Sequence, residues 1–237
     1  MGGDMIINSN ADPMLLAFFG VIGVALLVLS IMYFMSKDKV KKLFGIGILL
    51  NAIAFSLWAF MMLSSPESIE AITTIGTVVF IASFIVFSLV VASSLKGMTR
   101  FVTSAVTAIA FAVLILLRFV YVKSEPHFME NGLFNFGTDA EVMYAYVVIS
   151  ALTIMPAVYI IADKIKDANY RVMVQLGGSL AVISISVLLI SADAELQTLN
   201  GYGMALGIVL AAFGQIKYDL STAATKKITV GKKKTKK

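Results

Sequence analysis

The chain has 237 residues, of which 59% are hydrophobic and only 14% charged, with a mean hydropathy of +0.92 and a formal charge of +5. A water-soluble domain carries about a quarter charged residues, so this composition argues against an ordinary soluble fold. Having no cysteine, the chain can form no disulfide, thiolate metal site or haem-attachment motif, and its one histidine, His127, rules out bis-histidine haem and imidazole-rich copper or zinc centres within it.

The apolar residues gather into seven runs: 14–35, 43–63, 72–95, 101–122, 142–162, 172–191 and 199–216. A helix needs about 20 apolar residues to cross the hydrocarbon. The expected fold is therefore an all-α integral membrane protein, a seven-transmembrane-helix bundle forming one membrane domain. A short tail (1–13) precedes it and a basic tail (217–237) follows, whose lysine run should self-repel and stay disordered.

In chain order, the N-terminal tail carries Asp4 and Asp12. Run 14–35 is too long for a signal peptide and lacks a small-residue cleavage site, so it reads as a retained helix. The turn SKDKVKK at 36–42 sets four lysines against one aspartate. The second run holds Asn51 and the sole tryptophan, Trp58, and the loop after it carries Glu67 and Glu70 and nothing basic. Lys96 and Arg100 follow the third run.

The fourth run contains Arg118, the one clearly intramembrane charge, about one turn from the outer end. At the bilayer centre an arginine costs about 2.5–3.5 kcal/mol. Its two readings are an interfacial anchor flanked by Phe119 and Tyr121, or an ion pair with Glu70, Glu141 or Asp193 that would also suit an anionic ligand. The long loop 123–141 alternates Phe128, Phe134 and Phe136 with turn residues around Asn131-Gly132, which suggests a hairpin-like or interfacial cap. His127 and Glu130 in that loop are too few to hold a metal.

Pro156 interrupts the fifth run and frees the carbonyl of Leu152, with Thr153 nearby to satisfy backbone groups in a kink. Lys164, Lys166 and Arg171 dominate the next loop, and Gln175 is the polar amide of the sixth run. Asp193 and Glu195 precede the seventh run, GYGMALGIVLAAFGQIK, in which Gly203 and Gly207 are spaced for close helix packing. No run has an interior lysine, so a retinal Schiff base is unavailable despite the opsin-like count. The tail carries Lys226, Lys227, Lys232, Lys233, Lys234, Lys236 and Lys237, suited to anionic lipid headgroups at roughly 1 kcal/mol each.

Loop charge thus alternates, and 17 of the 19 Lys and Arg residues fall on one side. The positive-inside rule then sets the N-terminus outside and the C-terminus in the cytoplasm. A prokaryotic plasma membrane fits. No catalytic set, cofactor site or metal site is expected, and acidic residues are absent from the runs, which counts against a proton- or sodium-driven carrier. The first expectation is a structural or accessory subunit of a membrane complex, with lipid and other membrane subunits, not nucleic acid, as partners. A seven-helix sensor signalling through a cytoplasmic protein, or a small-solute facilitator, are the alternatives.

Overall fold

The computed structural model describes residues 13–120, 127–128, 134–135, 140–190 and 194–234. Chain order is α1 (Pro13–Phe34), α2 (Lys39–Met61), α3 (Pro66–Ser94), α4 (Gly97–Val120), the short strands β1 (His127–Phe128) and β2 (Phe134–Asn135), then α5 (Ala140–Ala162), α6 (Ala168–Ile190) and α7 (Ala194–Lys234). Among the described residues, six helices carry an apolar stretch long enough to cross a membrane, and a further stretch in α5, Val147–Ala162, is shorter. That is the make-up of a helical multi-pass membrane protein, because in hydrocarbon only a chain that satisfies its own backbone hydrogen bonds is stable.

The helix starts follow local chemistry. Asp38 caps α2, its Oδ1 accepting from the backbone N–H of Val40 at 2.8 Å and of Lys41 at 3.2 Å. Asp167 does the same for α6, accepting from Asn169 at 2.9 Å and Tyr170 at 3.3 Å. Helix α3 opens with Pro66 and Glu67, a residue pair that suits a first turn, and so begins six residues before its apolar run. Only Leu95 and Lys96 link α3 to α4, and Gly97 takes φ +57°, a left-handed conformation that favours glycine.

The largest departure from the sequence-based expectation is in α7. Helix α7 begins at Ala194, so most of the acidic segment 192–198 is helical, and its backbone stays helical to Lys234 where a disordered tail was expected. Lysine and alanine, frequent beyond Ile216, have favourable helix propensity, and a helix already nucleated in the bundle extends at little cost. The strand pair closes antiparallel, His127 opposite Asn135 and Phe128 opposite Phe134, as a hairpin.

Six helices form a ring in the order α1, α2, α3, α5, α6, α7 and back to α1, with α2 also touching α5 across the middle. Helix α4 sits outside the ring, against α3 and more lightly α5. Of its described side chains only Phe111 and Leu114 are buried.

Two kinds of packing hold the ring. Between α1, α2 and α3 the space is filled by aromatic rings: Phe55 meets Trp58 at 5.1 Å between centroids, Trp58 meets Phe80 at 5.3 Å and Phe80 meets Phe84 at 4.8 Å. Glycines make room for them, since a Cβ on Gly47 would lie 2.7 Å from the Phe87 ring and one on Gly76 would lie 2.7 Å from the Trp58 indole. Between α6 and α7 the backbones themselves touch. A Cβ on Gly177 would come within 2.5 Å of Gly207 O, and one on Gly207 within 2.6 Å of Ala181 N. Such close approach gains van der Waals contact in a solvent that offers no hydrophobic drive between helices.

Candidate functional site

Polar interactions between distant parts of the chain gather at the end of the bundle that carries the α1–α2 and α5–α6 turns. Lys164 Nζ donates to Asp38 Oδ2 at 2.5 Å, joining two turns 126 residues apart. Burial tends to raise the Asp38 pKa, but the hydrogen bond from Lys164, the two backbone donors and the lysine charge together hold it below the usual carboxylate value. Both side chains keep about a third of their surface exposed, 37% for Asp38 and 30% for Lys164. Lys41 Nζ lies 5.9 Å from the centroid of Tyr218, which brings α7 to the same end. Lys217 Nζ lies 5.3 Å from the Phe213 ring. The basic turns are therefore knitted into one surface rather than hanging as separate loops.

Just inside that surface, Tyr33 and Gln215 are both buried, with Tyr33 Oη 3.5 Å from Gln215 Oε1. Gln215 Nε2 donates to Asp219 Oδ2 at 2.8 Å, one turn further along α7 and exposed. Behind Tyr33 lies a cavity of about 80 Å³ within the ring, lined by apolar side chains including Leu29, Phe44, Ile154 and Met204, with Asn51 among them. The Asn51 Oδ1 is buried and has no hydrogen-bond partner in the protein. Pockets for drug-sized ligands measure roughly 300–1,000 Å³. A cavity this small suits at most a few waters, whose share of liquid volume is about 30 Å³ each.

The residues singled out from sequence fall as follows. Gly203 and Gly207 both face α6, where a Cβ on Gly203 would lie 2.5 Å from Ser184 Oγ. Pro156 lies inside α5, while the Thr153 hydroxyl donates to Ile149 O at 2.8 Å and lies 3.3 Å from Ser150 O. Those carbonyls belong to the preceding turn, not to Leu152, whose carbonyl the proline frees. Asn51 is buried and Gln175 half-buried. Glu70 is exposed on α3.

The side chains of Arg118 and Glu141, and Asp193 altogether, lie outside the described residues, so the suggested ion pair does too. Glu130, Phe136, Lys236 and Lys237 also lie outside them. Lys226, Lys227, Lys232, Lys233 and Lys234 are described only by the helical backbone of α7.

Sequence reasoning missed Asp38, Tyr33 and Gln215. For Asp38 a signal existed, an aspartate immediately before a helix in SKDKVKK and again at Asp167, which reads as an N-cap. Gln215 stands four residues before Asp219, the spacing of helical neighbours, but nothing in the sequence ties it to Tyr33. No family model matches the chain, and no match was found among curated proteins or solved structures.

Proposed function

We propose that the chain is a non-catalytic structural or accessory subunit of a membrane complex, crossing the bilayer seven times with its N-terminus outside and its basic end in the cytoplasm. The observation that carries this is the close packing of the ring among the described residues. Among the described residues the ring is packed by aromatic stacks and by glycine-mediated backbone contact, and the apolar cavity behind Tyr33 measures about 80 Å³, below the roughly 300–1,000 Å³ usual for ligand pockets. A facilitator would need a continuous polar path, and a receptor for an ordinary metabolite would need a larger pocket.

Seven crossings are supported by the length of α5, whose 23 residues extend about 34 Å at 1.5 Å per residue, enough for a hydrocarbon core of about 30 Å. Orientation is supported by the gathering of basic turns at one end, which the Asp38–Lys164 pair and the Lys41–Tyr218 contact draw together. The partner surface is best sought on α4, which stands outside the ring. Phe101, Ile109 and Leu116 there are each more than 60% exposed.

Native mass spectrometry after gentle extraction from the protein's own membranes tests this. The expected result is a second membrane protein in fixed stoichiometry, lost when Ile109 and Leu116 on α4 are replaced by tryptophan. A lone chain retaining a discrete small organic mass would overturn the subunit assignment in favour of a receptor.

A further inference from the structure

A second opening lies between α4 and the ring. It is a cleft of about 170 Å³ lined by Ser88 and Val91 of α3, by Thr103, Val106, Thr107, Ala110 and Phe111 of α4, and by Ile149, Leu152 and Thr153 of α5. Its lining differs from the interior cavity in carrying four hydroxyls. Most helical serines here return their hydroxyl to a backbone carbonyl one turn back, as Ser83 does to Phe80, Ser93 to Val90 and Ser94 to Val91. Ser88 does not. It is only 5% exposed, and its Oγ has no partner in the protein. A buried hydroxyl left unpaired is destabilising, and a bound acceptor would offset that cost.

The position of the cleft selects the acceptor. Ser88 lies six residues before the end of α3 at Ser94, and Thr103 six residues after the start of α4 at Gly97. At 1.5 Å per residue both sit about 9 Å from the α3–α4 turn. That turn carries Lys96 and Arg100, both exposed, at the bundle end that receives the other basic turns. Beside the cleft, Val102 and Val106 of α4 offer exposed apolar surface. From the turn inward, the order is cationic side chains, then hydroxyls, then hydrocarbon. A glycerophospholipid presents phosphate, then ester carbonyls, then acyl chains in the same order and over a similar depth.

We propose that this cleft is a binding site for one anionic phospholipid. Arg100 and Lys96 hold the phosphate and the headgroup charge, Ser88 and Thr103 donate to an ester carbonyl, and an acyl chain lies along Ala110, Phe111 and Leu152. The lipid seats α4 against α5, where direct contact between the two helices is light. The site does not depend on the accessory-subunit assignment; it requires only that the chain spans a membrane, and its ligand is distinct from any protein on the outer face of α4.

The test uses the full chain in neutral detergent, titrated with phosphatidylglycerol or phosphatidylcholine and read by native mass spectrometry. One phosphatidylglycerol should bind each native chain, at least tenfold more tightly than phosphatidylcholine. Ser88→Ala, which removes the hydroxyl and keeps the cleft open, should weaken it roughly fivefold, the worth of about one hydrogen bond. Arg100→Gln with Lys96→Gln, both exposed and harmless to folding, should abolish the preference for phosphatidylglycerol, and Thr107→Trp should block the cleft and remove the tight lipid altogether. Equal binding of the two lipids by the native chain would overturn the proposal. So would a preference untouched by Ser88→Ala and Thr107→Trp, since the tight lipid would then sit on the lysine-rich end of α7.

Discussion

Lys164 holds Asp38 across the basic end of the bundle, and Asp38 at the same time caps α2. One carboxylate thus fixes the start of a helix and ties the two halves of the chain together. Replacing Asp38 by alanine removes both roles. A lost cap costs about 0.5–2 kcal/mol, and a pair this exposed adds only about 0.2–1 kcal/mol. A double-mutant cycle with Lys164→Met, followed by thermal unfolding in detergent, should find most of the Asp38→Ala loss retained when Lys164 is already absent. Coupling that accounts for the whole loss would show the cap to be idle.

The same carboxylate sets a pH dependence. Folding lowers the Asp38 pKa, so its contribution is complete above the unfolded carboxylate value and is lost as pH falls through the depressed folded value. Native protein should therefore lose stability on acidification more steeply than Asp38→Asn. Parallel pH curves for the two would contradict the assigned shift.

Gly207 and Gly20 make a matched pair of substitutions. A Cβ at Gly207 meets α6 backbone at 2.6 Å, which cannot yield as a flexible side chain would, whereas at Gly20 nothing lies within 4 Å. Gly207→Ala should lower stability by about 1–3 kcal/mol, the usual range for overpacking. Gly20→Ala should be neutral or slightly stabilising, because alanine is the better helix former. Equal effects of the two would refute direct α6–α7 backbone contact.

Asn51 is expected to cost the bundle stability. Its carbonyl oxygen is buried without a protein partner, so Asn51→Leu, which keeps the same branching and has the neighbouring cavity to take its methyls, should raise the unfolding temperature, with a gain of up to about 1–3 kcal/mol. A fall would mean that the amide is satisfied by something the substitution removes.

Topology can be read by cysteine labelling, since the native chain has none to confuse the result. Ser65→Cys and Lys37→Cys both lie at exposed positions in turns at opposite ends of α2. In intact cells a membrane-impermeant maleimide should label Ser65→Cys, and Lys37→Cys only after permeabilisation. The reverse pattern would invert the proposed orientation.

The apolar runs, their lengths and the alternation of charge were legible in the sequence because each is a local property. A bilayer demands a long apolar helix at every crossing, and loop charge sorts by side, whatever the helices later touch. The helix-capping aspartates were legible too, once Asp38 and Asp167 are read by position rather than as charges. Which helices are neighbours was not. That Gly177 meets Gly207, that Lys164 meets Asp38 and that α4 stands outside the ring depend on shapes contributed by residues far apart in the chain. Between helices in lipid, hydrophobicity is nearly the same everywhere, so pairing is decided by van der Waals fit and a few polar contacts. The lone Ser88 hydroxyl makes the same point: in sequence it is one serine among many, and only the packing of α3, α4 and α5 leaves it buried, unpaired and lining a cleft.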